Sequence, residues 1–348
     1  MNKPLLVLAL GSAMVLSACG GGGGGGGGTP SGGGSTPPPV TTTPPPATST
    51  QSSITAANAT SAASNAYAAT TSVGASSTSL TDILTGVNVS RPNISTVAPL
   101  LKLVKRAYGG QQLLTGVTQT QTQQCPGGGT LTIDATVSNV NNVSNGDILK
   151  VTANNCVDGT DTLSGALTIN FSGVTGDINT PVFGVTMDSI FTNFNIVSGT
   201  DKVGVNGDMK VVLNQTSASA STIALSGNSL QTTEQQGSAA VVNRTVTAYT
   251  VTGSTRDGVS SSAANFGLSG TSPKLGTFAY TVKNLAPFVF NSSTAVVPSS
   301  GSLIVNGNAS SVTATVVSNG VRVDFSASGN GTITNTETVA WDAFLSSI

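Results

Sequence analysis

Cys125 and Cys156 are the two side chains of this sequence best placed to bond to one another, with a third thiol, Cys19, far upstream. Two thiols at that spacing can close a disulfide or share a metal ion. No CxxC spacing accompanies them, and the chain contains no histidine. Ser-His-Asp triads, Cys-His pairs, the usual zinc sites and imidazole acid–base chemistry are therefore excluded. Paired carboxylates of the glycosidase kind stay chemically open, but no acidic residue falls in a catalytic motif. Four Tyr and one Trp make a thin platform for stacking sugars, so we expect no enzyme, no cofactor and no metal site. Lys102, Lys105 and Arg106 form the one basic cluster. They can touch anionic headgroups, or simply be a solvated helix face whose charge offsets the dipole. Charged residues are 8% of the chain, too few basic ones for a nucleic-acid surface.

The segments that carry these residues are distinct. Lys3 opens a short positive start, Leu5 to Leu16 supply a mostly apolar core, and small residues precede Cys19. This is the layout of a secretory signal, and its core falls short of the roughly 20 apolar residues of a stable span. Leu16-Ser17-Ala18-Cys19 resembles the bacterial lipobox. The resemblance implies that the Cys19 thiol receives a diacylglyceryl group, that cleavage precedes it, and that the new amine is acylated. Several acyl chains hold a protein stably on a bilayer where one does so only marginally. Gly20 at the next position, where an Asp often retains such lipoproteins in the inner membrane, implies the outer membrane of a Gram-negative cell. Nine glycines and two Pro-Pro-Pro runs follow: a spacer that is soft near the membrane and stiffer beyond. With Cys19 committed to lipid, Cys125 and Cys156 are left as an even pair in an exported chain, which reads as a disulfide. Closing a loop of about 32 residues stabilises a fold by about 3–4 kcal/mol on the chain-entropy account.

The chain thus divides into a signal (1–18), a lipidated cysteine with its tether (19–52), a helical segment (53–110) and a β-rich domain (111–348). Ser53 to Val73 reads as a helix, capped by Ser52 or Ser53 and ended by Gly74, with Ala59, Ala62, Ala66, Ala69 and Val73 on one smooth face. A short turn follows at Ser79 to Asp82, and a third helix at Val97 to Tyr108 carries the basic cluster. Past Gly109 the apolar period changes from 3.6 to 2, as in "GTLTIDATV" and "LTINFSG", giving a dozen or more short strands. The clearest hairpin is Ser311 to Ala327, with Asn319-Gly320 as a two-residue type I′ turn. That turn pairs Ser318 with Val321, Val316 with Val323, Ala314 with Phe325 and Val312 with Ala327 on an apolar face. Val317 then faces Arg322, and Thr315 faces Asp324, on a polar one.

Gly146-Asp147 leading a strand into Asn154-Asn155-Cys156, "PSSGSLIVNG" from Pro298 to Gly307, "ITAANA" at Ile54 to Ala59 and a terminal strand reaching Trp341 together resemble a family of large, uncharacterised proteobacterial lipoproteins. The resemblance implies location and architecture and no particular activity. Relatives often carry an acidic, calcium-like loop before the Gly-Asp. Here Asp147 is its only carboxylate, beside Asn139, Asn141 and Asn142. One carboxylate is a poor calcium ligand set, so these residues read as turn formers. The expected fold is mainly β (α+β), a large antiparallel curved sheet or partly open barrel with N-terminal helices packed on it; a two-sheet β-sandwich is the alternative. The expected role is that of an anchored envelope protein, non-enzymatic, which binds a protein, polysaccharide or lipid partner or supports structure. A carrier of a lipid-like ligand in an apolar concavity comes second, and a carboxylate-based hydrolase third.

Overall fold

The computed structural model describes residues 50–71, 118–138, 144–176, 180–292, 295 and 297–348. The turn expected at 79–82, the helix expected at 97–108, and Cys19 with its tether as far as residue 49 lie outside them. Helix α1 covers 59–71. Among the described residues fourteen strands follow: β1 Thr118–Gln124, β2 Thr130–Thr136, β3 Ile148–Asp158, β4 Asp161–Gly176 and β5 Phe183–Ser198. Next come β6 Asp201–Ser217, β7 Ala220–Gln235, β8 Val242–Arg256, β9 Val259–Ser272 and β10 Gly276–Phe290. The last are β11 Ser300–Gly307, β12 Ser310–Val317, β13 Gly320–Ser326 and β14 Asn335–Val339, before helix α2 at Trp341–Leu345.

Each strand pairs with its chain neighbours and the order is simply β1 to β14, all antiparallel, in one open sheet. The two-sheet alternative is therefore corrected: the ladder runs unbroken from one edge to the other. Short turns explain this, because each hairpin delivers the next strand to the nearest free edge. Period-2 patterning puts the apolar side chains on one face, where Val151, Leu167 and Phe191 sit abreast on β3, β4 and β5, all buried. The other face carries mostly Thr, Ser, Asn, Lys and Asp. A membrane barrel would show a continuous outward apolar band. The exposed large apolar residues here, among them Ile148, Ile190, Val259 and Leu285, are instead scattered singly.

The alternation changes phase inside several strands. In β5 the buried positions run Val185, Met187, Ser189, Phe191 and then Phe194, Ile196. The extra residue is Asn193, a bulge with φ 46°. Asn155 in β3 and Ala248 in β8 hold the same φ at their own bulges. Gly165 of β4 lies against the β5 bulge at φ 96°, and a Cβ there would come within 2.0 Å of the Asn193 carbonyl oxygen. Further register shifts in β6 and β10 continue the series across the sheet at mid-strand. Bulges bend strands and increase their twist, so this line of bulges creases the sheet.

The crease curls the apolar face around α1. Asn65 of α1 meets Arg244 of β8, Tyr67 meets Phe288 of β10, and Thr60 meets Glu337 of β14. A flat sheet would separate β8 from β14 by about 29 Å at 4.8 Å per strand. Thr60 and Asn65 are only about 7.5 Å apart along a helix. Two side chains cannot span the difference, so the sheet wraps the helix. Ala59, Ala62, Ala66 and Ala69 of the expected face are buried, and so are Ala63, Ser64, Asn65, Tyr67 and Thr70, so α1 is enclosed on more than its alanine side; Val73 and Gly74 lie outside the described residues.

Two local expectations are corrected. Helix α1 begins at 59, after a turn that Thr55 and Asn58 close, and not at Ser52 or Ser53: Asn58 N–H donates to the Thr55 carbonyl, Thr55 N–H donates to Asn58 Oδ1 at 2.8 Å, and Ala62 N–H donates to the Asn58 carbonyl. In the terminal hairpin Val317 pairs with Gly320, Val316 with Val321, Ala314 with Val323 and Val312 with Phe325. The turn is Ser318-Asn319, and neither residue has positive φ, so it is not type I′. Gly320 is instead a strand residue, where a Cβ would lie 2.1 Å from the Val339 carbonyl oxygen of β14. The slip is two residues, so every side chain keeps the face assigned from sequence.

Candidate functional site

The junction between the N-terminal tether and the sheet is built from backbone. Ser52 N–H donates to the Ala279 carbonyl (2.9 Å), and the Ser52 carbonyl accepts from Asn308 N–H (2.9 Å). The Ser52 hydroxyl oxygen accepts from Ala279 N–H (3.0 Å), and Ile54 N–H donates to Ser310 Oγ (2.8 Å). Residues 51–54 thus strap β10 to the β11–β12 turn, 225 or more residues away in sequence. Ile54 is buried beneath the strap. A helix-capping reading of Ser52 missed this, because a serine before an alanine-rich run caps helices far more often than it joins distant strands. The apolar Ile54 inside an otherwise polar stretch was the signal available.

Ser64 and Asn65 of α1 are fully buried polar residues, and each has a partner from another element. Arg244 projects from β8 onto the apolar face, where it is 3% exposed. Its Nε donates to Asn65 Oδ1 at 2.6 Å, and its Nη1 donates to Glu234 Oε2 at 2.7 Å. Glu234 neutralises the charge, which makes burial of the guanidinium affordable. Ser64 Oγ donates to the Phe344 carbonyl at 2.6 Å, tying α1 to α2. Around that contact Tyr67, Phe288, Trp341 and Phe344 pack with ring centroids 5.1–6.0 Å apart. These rings pack α1 and α2 against each other and against β10.

The sulfurs of Cys125 and Cys156 lie at disulfide distance, with Cα atoms 5.3 Å apart. Cys125 directly follows β1, at the start of the turn into β2. Cys156 lies within β3, which continues past Asn155 to Asp158. The positive φ of Asn155 turns Cys156 onto the buried face. The Cys125-to-Gly129 turn packs on it, with Gly127 N–H on the Val157 carbonyl and Val157 N–H on the Gly128 carbonyl. Gly129 has no room for a side chain there, since a Cβ would lie 1.9 Å from the Asn155 carbonyl oxygen. Asn154-Asn155-Cys156 is thus a bulge that sets a sulfur at disulfide distance from that of Cys125.

Asp147 is buried, and both of its carboxylate oxygens are engaged: Oδ1 accepts from Ser138 N–H (2.8 Å) and Oδ2 from Ser144 N–H (2.6 Å). It closes a loop, in the manner of a turn former. Asn139, Asn141 and Asn142 lie outside the described residues. Other carboxylates are likewise held. Asp134 takes Thr120 and Lys150, Asp188 takes Lys210, Asp208 takes the Asn228 and Ser229 amides, and Asp324 takes Arg322 and Thr336. Tyr249, buried in β8, donates its hydroxyl to the Asp208 carbonyl. Burial, and then the charge of Asp208, raise its pKa well above the ordinary phenol value. Burial also raises that of Tyr280.

Cys19, Lys102, Lys105 and Arg106 lie outside the described residues. Among the described residues no helix is long and apolar enough to cross a membrane. No family model matches the chain, and neither curated proteins nor solved structures give a match.

Proposed function

We propose that this chain is a cell-envelope lipoprotein, anchored through Cys19 in the outer membrane, whose sheet acts by binding or by structural support and not by catalysis. The observation that carries the reading is the strap at residues 51–54. The last residues assigned to the tether and the two that follow are bonded to β10 and the β11–β12 turn. A pull on the tether is therefore delivered to paired backbone, which resists extension. The engaged state of the carboxylates named above favours a structural role for them over acid–base work. The outer face, rich in hydroxyls and amides and poor in charge, suits a surface that stays soluble while standing off a membrane.

The test is fractionation and labelling in the native host. Wild-type protein should incorporate radiolabelled palmitate and sediment with outer membranes, and Cys19→Ser should do neither. Membrane retention of an unlabelled Cys19→Ser variant would overturn anchoring through that residue. Protease digestion of intact cells then reports the face. Organic extraction of the purified protein should yield no stoichiometric lipid; finding one would favour the carrier function.

A further inference from the structure

An open sheet has two edges, and here they differ. β14 is short, carries Glu337, and leads at once into α2. Those are familiar devices for blunting an edge. β1 reads Thr-Gln-Thr-Gln-Thr-Gln-Gln from Thr118 to Gln124, seven residues without charge, proline or bulge. Among the described residues it pairs with β2 alone.

The register shows which backbone groups β1 presents outward. Cys125 N–H donates to the Gly129 carbonyl at 3.0 Å, and Gln123, Gln121 and Gln119 follow it at two-residue steps opposite Leu131, Ile133 and Ala135. Hydrogen-bonded and non-bonded pairs alternate along an antiparallel ladder. The Gln residues therefore bond β2, while Thr118, Thr120, Thr122 and Gln124 aim their N–H and C=O groups away from it. The side-chain bonds of Thr118 to Thr136 and Thr122 to Thr132 agree, since non-bonded pairs bring side chains closest.

We propose that β1 is a homodimerisation edge, pairing antiparallel with β1 of a second copy about a two-fold axis at Gln121. In that register Thr120 faces Thr122 of the other chain, and Thr118 faces Gln124. All four outward residues of each strand then form bonded pairs, so every outward N–H and C=O is satisfied at once. Thr lies over Thr, a favourable cross-strand pair. The neutrality of β1 removes the like-charge repulsion that a symmetric pairing would otherwise create. The same neutrality gives an oppositely charged foreign strand nothing to recognise, which favours a second copy as the occupant. One strand pair is small beside the roughly 1,000 Å² of a stable interface, so the dimer is reversible and forms with concentration. The inference rests on the sheet alone and does not require the lipid anchor.

The experiment uses the full chain carrying Cys19→Ser, so that an introduced thiol is the only free one. Gln121→Cys places the thiol on the axis, opposite its own copy, at a separation a disulfide spans. Mild oxidation should cross-link it readily, whereas Thr118→Cys, displaced from its copy by six positions, should not. Adding Thr120→Pro should abolish the cross-link while leaving circular dichroism intact, because among the described residues that N–H points away from β2, the one strand β1 pairs with, and proline is tolerated on an edge. Should the proline variant unfold, Thr120→Lys with Thr122→Lys sets like charges directly opposite and should act alike. Equal cross-linking at 118 and 121, or cross-linking that survives these changes in a folded protein, would overturn the proposal. So would a Gln121→Cys chain that stays uncrosslinked when pure and is captured only by another envelope protein.

Discussion

Arg244 and Asn65 meet at 2.6 Å across 179 positions of sequence, both buried, and their contact fixes α1 against the sheet. Asn65 Nδ2 has no hydrogen-bond partner, so this junction tolerates one orphan donor. Replacing Arg244 by Leu strands the rest of the Asn65 amide and leaves Glu234 without its cation. We expect a loss of about 3–5 kcal/mol, as for breaking other buried pairs. Asn65→Ala removes the orphan but leaves the Arg244 Nε unpaired, at about 1–3 kcal/mol. The double variant should cost less than the sum. The chain's one tryptophan, Trp341, lies 5.4 Å from the ring of Tyr67 on α1, so its fluorescence reports loosening of the helix. Additive losses with unchanged fluorescence would refute the coupling.

Tyr249 predicts an alkaline limit. A phenol whose pKa is raised on folding binds its proton more tightly in the native state. Its contribution is fully present below the unfolded value of about 10 and is lost as pH rises through the folded one. Denaturation midpoints should therefore fall with pH above about 10. Tyr249→Phe should flatten that fall while costing about 0.5–1.5 kcal/mol at neutral pH for the lost bond to the Asp208 carbonyl. An equally steep alkaline fall in the Phe variant would point to other groups.

Gly165→Ala tests the crease. The added Cβ meets the carbonyl of Asn193 in a backbone region that L side chains rarely adopt. Gly199, in the β5–β6 turn at φ 59°, has open space around it, so Gly199→Ala should cost only about 1–2 kcal/mol of left-handed strain. Chemical denaturation should find Gly165→Ala clearly the worse of the two. Equal losses would mean that the bulge at Asn193 is not tightly held.

The thiol pair should be recovered as one cross-linked peptide when exported protein is mapped without reductant. Replacing both by Ser should lower stability by about 2–5 kcal/mol, read as a lower denaturant midpoint. Recovery of both thiols alkylated in native protein would exclude the bridge.

Asp147→Asn exchanges one acceptor for a donor that faces a backbone N–H. It should cost about 1.5–3 kcal/mol, the range for hydrogen bonds to charged groups. Calcium should leave the thermal midpoint of the wild type unchanged, since both carboxylate oxygens already accept backbone amides. A calcium-dependent rise that is lost in Asp147→Asn would reverse this assignment.

The sequence by itself determined the face of each strand it marked as apolar. Val312, Ala314, Val316, Val323 and Phe325 keep their assigned side, because a period of two survives any even slip of register. It also determined the alanine face of α1 and the even thiol pair, since both depend on residue type and local spacing. What it could not determine was where the pattern skips. Asn155, Asn193 and Ala248 are ordinary strand or turn residues until a neighbouring strand forces the extra residue out of the ladder. The hairpin turn moved off Asn319-Gly320 for a related reason: β14 comes too close for a side chain at Gly320, and that claim on the glycine outweighs its turn preference. The partners of Ser52, Asn65 and Arg244 belong wholly to the tertiary structure. Hydrogen bonds across 179 to 256 residues leave no periodic trace in the chain, and only the curl of the sheet around α1 brings their donors and acceptors together.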